Sequence, residues 1–144
     1  MPKVFEHHLT VNEDEIDPLG HANNVAYIEW MQAAAIEHTR AQGWPGRKYR
    51  ELGRGWVVRS HQIEYLRPAL PGDEIVVRTW VANMRKVRSL RRFRILRVAD
   101  EELLARAATD WAFIDYTTGQ LVRIPPEVAE AFVVVGEDED DPRN

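Results

Sequence analysis

The chain holds 144 residues, 44% of them apolar and 29% charged, with a formal net charge of −4 and no cysteine. That length and balance fit one globular domain with a sizeable core, and the charge offers no bulk electrostatic case for nucleic acid or an anionic membrane. The missing cysteines exclude disulfides, thiolate metal sites and a cysteine nucleophile. No apolar run approaches a membrane span, and the first ten residues lack the apolar core of a signal peptide, so a cytoplasmic protein is expected.

In chain order, residues 4–11 read as a first strand. Residues 12–22 form a polar turn in which Asp17-Pro18-Leu19-Gly20 joins an acid, a rigid proline and a glycine able to take positive φ. A helix is expected over residues 24–42, with Tyr27, Ile28, Met31, Ala34, Ala35, His38 and Ala41 on one side at helical spacing. Three consecutive alanines, Ala33 to Ala35, keep it slim enough for a sheet to approach. Asn23 or Asn24 can cap its first turn, and Gly43 and Pro45 stop it. Residues 44–55 read as a loop. The period then turns extended, with strands expected at 56–66, 74–84, 89–98 and 103–115. A short helix-like piece follows from Pro125 to Phe132, and residues 136–144 read as an acidic tail without stable structure.

One strand, one long helix and four strands in succession give an α+β fold with a mostly antiparallel sheet. A single slim helix covers one face of such a sheet, and the strands carry apolar residues on both faces, so a homodimer or homotetramer is expected to cover the remainder. The helix start gathers Asp17, His21, Asn23 and Asn24 at an end that favours negative charge and offers spare N–H donors. The chemistry is expected there.

The segment DPLGHANNVAYIEWM (residues 17–31) resembles the one that opens the central helix in hotdog-fold thioesterases of the 4-hydroxybenzoyl-CoA thioesterase superfamily. Asp17, His21, Asn23, Asn24, Val25 and Tyr27 also resemble one hotdog repeat of plant acyl-ACP thioesterases. Pro71 to Glu74, Arg88 to Arg92 and Trp111 to Gly119 extend the likeness over most of residues 4–125. The resemblance implies a hotdog fold, an antiparallel sheet wrapped around one long helix, with active sites at a subunit boundary. It implies hydrolysis of an acyl-CoA or acyl-ACP, with Asp17 as nucleophile or general base and the Asn24 N–H polarising the carbonyl. Coenzyme A or phosphopantetheine would arrive with the substrate, an acyl carrier protein could be the partner, and no separate cofactor or metal is called for. Leu19 departs from the plant pattern, which has an asparagine there, and the acid or cysteine those enzymes add on a later strand has no counterpart near residues 90–93.

In this reading His21 supports Asp17, while Gly20 and Asn23 shape the loop around the substrate. Tyr27 and Met31 line an acyl path, and Arg88 and Arg91 recognise phosphates, for which arginine is suited. Strand alternation places Arg92 and Arg94 opposite Arg91 and Arg97, which argues against one nucleic-acid stripe. His38, amid an apolar helix face, reads as a satisfied core histidine. The rival from another class is a non-hydrolytic acyl-carrier or acyl-CoA binding protein, and a hotdog hydratase ranks last because its motif spaces the aspartate and histidine differently.

Overall fold

A computed structural model describes residues 4–137. Its elements are β1 (Phe5–Thr10), α1 (Asn24–Ala41), α2 (Gly46–Leu52), β2 (Arg54–Tyr65), β3 (Glu74–Val81), β4 (Arg88–Arg97), β5 (Leu103–Asp115) and α3 (Pro126–Ala129), with one 3-10 turn at Glu13–Glu15. The strands form one antiparallel sheet in the order β1-β3-β4-β5-β2. β2 therefore pairs with β5 rather than with its sequence neighbour β3, and β1 and β2 are the two edges.

The long helix forms where expected because its start and stop chemistry is sound. Asn23 Oδ1 accepts the Ala26 N–H at 2.8 Å as the N-cap, and Gly43 beyond the helix takes φ 91°. Its buried side comprises Ala26, Tyr27, Trp30, Met31, Ala34, Ala35 and His38. That side packs on the sheet face bearing Ile75, Val77, Phe93, Ile95, Ala105 and Ala107. Small residues on α1 and β5 allow this close layer. Trp30 had no place in the expected apolar face; it is buried because its indole N–H donates to Glu15 Oε2 at 2.8 Å across the loop before the helix.

Residues 44–55 are not simply a loop. They contain α2, which buries Tyr49 against Trp44 and Phe113 and ends on Gly53 at φ 75°. The helix was hidden by its glycines and its charged exposed side; one buried tyrosine is too little for a periodic signal. The acidic tail expected from residue 136 lies, from residue 138 on, outside the described residues. Glu137 is described, and its carboxylate meets Arg85 and Asn83.

The outward sheet face carries a row of charges that crosses all five strands in register: Glu6, Arg78, Arg94, Arg106 and Glu64. Arg78 pairs with Glu6 at 3.1 Å and Arg106 with Glu64 at 2.9 Å, so acids at both edges offset the like charges on the central strands. The alternation read from the sequence holds here: Arg92 and Arg94 face outward and Arg91 faces the helix.

Candidate functional site

The loop before α1 is built on Asp17. Its Oδ1 accepts the N–H groups of Leu19 at 2.9 Å and His21 at 3.2 Å, while its own N–H donates to His21 O at 2.8 Å. Gly20 sits at φ 85°, a left-handed conformation that its missing Cβ makes cheap, and its N–H donates to Asp17 O at 3.0 Å. The loop is tied to the helix start through Glu15. Glu15 O accepts the Asn23 N–H at 2.8 Å and Nδ2 at 2.9 Å, and its carboxylate takes the Trp30 indole N–H and, at 2.9 Å, the Asn12 N–H. Glu15 thus clamps the Asp17 loop to α1, a role the sequence pattern did not mark.

Capping by Asn23 satisfies the Ala26 N–H and leaves the Asn24 N–H, two residues earlier, with no acceptor among the described residues. Helix N-termini hold such donors beside the positive end of the helix dipole. The mouth is rimmed by apolar groups in solvent: Leu19 is 79% exposed, Val25 is 60% exposed, and the half-exposed Tyr65 donates its hydroxyl to Asn24 O at 3.1 Å. Asp17 and His21 are half-buried. No hydrogen bond joins the His21 imidazole to the Asp17 carboxylate among the described residues; the backbone of His21, not its ring, holds Asp17.

The remaining site residues named from the sequence disperse. Tyr27 is buried, and its hydroxyl accepts the Ala69 N–H at 3.0 Å; burial holds its pKa above the ordinary tyrosine value. Met31 is 0% exposed in the main core. Neither lines the cavity described below, and both lie in the core behind the helix mouth. Arg88 and Arg91 do not meet either. They are three residues apart on one strand, hence on opposite faces. Arg88 lies outside, 3.7 Å from Asp110, while Arg91 is buried beneath α1.

A cavity of about 420 Å³ opens on the far flank of α1. Ala35, Ile36 and Thr39 form one wall, Trp56, Val57 and Val58 of β2 another, and Val81, Met84, Trp111 and Phe132 close much of the rest. Tyr49 and Thr39 stand at its edge in a satisfied chain: Trp56 Nε1–H donates to Tyr49 Oη at 3.1 Å, Tyr49 to Thr39 Oγ1 at 2.9 Å, and Thr39 to Trp44 O at 3.2 Å. Arg91 also lines this cavity. Its Nη1 donates to His38 Nδ1 at 2.9 Å and Thr79 Oγ1 at 3.1 Å. Burial, then the neighbouring guanidinium, pushes the His38 pKa down to about 3, so the ring is neutral and its proton sits on Nε2. His38 is therefore half-satisfied: Nδ1 is used, and Nε2 is buried with no partner among the described residues. No group of three or more His, Cys, Asp or Glu side chains among the described residues could hold a metal ion, and no described helix is long and apolar enough to cross a membrane.

Residues 11–132 match the profile of a thioesterase-like superfamily. Among curated proteins the chain is 29% identical over 131 residues to the chloroplastic acyl-(acyl-carrier-protein) hydrolase FATB2 of Cuphea viscosissima, covering 87% of this chain and 32% of that one. It thus spans about a third of the length of such relatives. In fold it superposes on a 1,4-dihydroxy-2-naphthoyl-CoA thioesterase from Synechocystis with a TM-score of 0.82 at 18% identity, covering 89% of this chain and 94% of the other. A Staphylococcus aureus protein solved in complex with CoA gives 0.83 at 16% identity over 89% of this chain and 80% of that one. The hotdog architecture is common to this chain and these structures.

Proposed function

From the premise that the chain belongs to the thioesterase-like superfamily, we propose that it hydrolyses an acyl thioester carried by coenzyme A or by the phosphopantetheine arm of an acyl carrier protein. The observation that carries this reading is the open Asn24 N–H at the mouth of α1, next in sequence to the loop that holds Asp17. An amide donor aimed at the developing oxyanion is worth most in a site closed to water. Asp17 Oδ1 is committed to the loop, which leaves Oδ2 to take a proton from water or to attack the carbonyl carbon. Collapse of the tetrahedral intermediate then expels a thiolate, a good leaving group because thiols ionise near pH ~8.5; on the nucleophilic route, water then cleaves the acyl anhydride formed on Asp17, which releases the free acid and restores the carboxylate. The scheme calls for no cofactor beyond the carrier that arrives with the acyl group.

Gly20 makes the turn and Asn23 keeps the Asn24 donor free. Tyr27 and Met31 set the position of α1 from behind. Arg88, outside and half-exposed, remains the candidate for carrier phosphates. The apolar rim of Leu19, Val25 and Tyr65 supports closure by a second subunit, and β2 presents a 12-residue edge through which sheets could join. The S. aureus structure with CoA supports a coenzyme A carrier, and the plant relatives support an acyl carrier protein.

The second reading, acyl thioester binding without hydrolysis, is favoured by one observation: the His21 ring makes no hydrogen bond to Asp17. Assaying thiol release across aromatic and aliphatic acyl-CoA and acyl-ACP substrates decides between them. Turnover above the uncatalysed rate with at least one substrate is expected; saturable binding with no thiol released would establish the second reading.

A further inference from the structure

Arg91 is 6% exposed, yet it has no carboxylate partner among the described residues. Its polar contacts are a neutral imidazole and a hydroxyl, and its guanidinium lies 5.9 Å from the centre of the Phe132 ring, so it meets an aromatic face but no anion. Buried cations are ordinarily paired, because an uncompensated charge away from water is costly. On the outward face of the same sheet even the part-buried Arg78 and the exposed Arg106 keep to carboxylate pairing, with Glu6 and Glu64. Arg91 departs from it, and it does so on the wall of a cavity otherwise lined largely by Ala35, Ile36, Val57, Val58, Val81 and Phe132. An unsatisfied donor belongs to the same cavity wall: Trp111 lines it, and the Trp111 indole N–H is buried with no partner among the described residues. An apolar chamber of this size with a few convergent polar groups has the form of a small-molecule site.

We propose that this cavity binds an aliphatic chain that ends in a carboxylate, with the carboxylate seated on the Arg91 guanidinium. The apolar walls take the chain, and the arginine gains the anion the protein does not supply. A planar guanidinium suits a carboxylate because two parallel N–H donors can meet both oxygens. The same chemistry has two sources. One is a free fatty acid. The other, which rests on the thioesterase reading, is an acyl group bearing a second carboxylate at its far end. His38, the partner of Arg91, lies fourteen residues beyond Asn24 on α1, about 21 Å along the helix axis, so only a long chain would reach from one site to the other.

Titration calorimetry with dodecanoate, its methyl ester and dodecanol, on the wild type and on Arg91→Met, tests the proposal. The wild type is expected to prefer the carboxylate by roughly tenfold or more, the scale of a charge-assisted hydrogen bond, and Arg91→Met to lose that preference while still binding the alcohol. Without ligand, Arg91→Met is expected to melt no lower than the wild type, because it removes an unpaired buried charge without leaving a large void. Equal binding of acid, ester and alcohol by the wild type would overturn the proposal. So would a preference that survives in Arg91→Met, or a melting temperature well below the wild type in that variant with binding unchanged, which would make Arg91 a structural bridge between α1 and the sheet. Hydrolysis of hexadecanedioyl-CoA against hexadecanoyl-CoA then assigns the source. A higher kcat/KM for the dicarboxylic substrate, abolished by Arg91→Met, places the acyl end in the cavity; equal rates leave the free acid as the ligand. If no thioester is cleaved at all, the hydrolase reading fails and the calorimetry still decides the cavity's ligand.

Discussion

At the scale of single residues, the protein separates polar groups that serve the fold from those left available. Asn23 serves the fold. Its side chain closes the first turn of α1 and also donates to Glu15 O. Asn23→Ala is expected to cost about 1–2 kcal/mol in chemical denaturation, and a change within experimental error would remove its capping role. His38 supplies the pH dependence. Its folded pKa of about 3 lies below the 6.5 of a free histidine, so between these values the unfolded chain binds a proton that the folded chain does not. The stability tied to a neutral His38 is thus fully present above pH 6.5 and falls with acidification, by up to about 1.4 kcal/mol per pH unit down to pH 3. His38→Gln should flatten that part of the stability profile. A slope identical to the wild type would show that another group governs it.

Among the elements, the loop of residues 12–23 and α1 act as a unit joined by Glu15. Removing that carboxylate leaves the buried Trp30 indole N–H unpaired and frees the exposed Asn12 N–H to solvent. Glu15→Ala is expected to destabilise by roughly 2–3 kcal/mol and to lower kcat more than it raises KM, because it loosens the carrier of Asp17 without touching the acyl chain. Unchanged kcat in a folded variant would remove Glu15 as a positioning residue. The elements themselves were largely legible before the structure. Turn chemistry at Asp17 to Gly20, the asparagine cap and the helical spacing are local signals, and they fixed α1 to within a residue. α2 was not legible, because its burial rests on Tyr49 meeting Trp44 and Phe113, the latter more than sixty residues away in the chain. The same limit applies to the cavity. Strand alternation set Arg91 on the face opposite Arg92 and Arg94, but nothing local says that this face is the helix side or that no carboxylate awaits it there, since its surroundings come from α1, β2, β3 and β5.

For the molecule as a whole, one helix covers one sheet face, and the helix mouth and the β2 edge are left open in the isolated chain. Sedimentation equilibrium is expected to show a dimer or tetramer at micromolar concentration, and a monomer throughout would leave the rim of Leu19 and Val25 without a cover. The central claim is that Asp17 at the mouth of α1 performs thioester cleavage. Asp17→Asn keeps a side-chain oxygen for the N–H groups of Leu19 and His21, so the fold should survive while the basic and nucleophilic oxygen is lost. The most direct measurement is thiol release by this variant beside the wild type, on the best acyl thioester, with circular dichroism and sedimentation matched. A loss of roughly 10²-fold or more in kcat with the fold unchanged is the expected result; a variant that keeps most of the wild-type rate would contradict the assignment of Asp17.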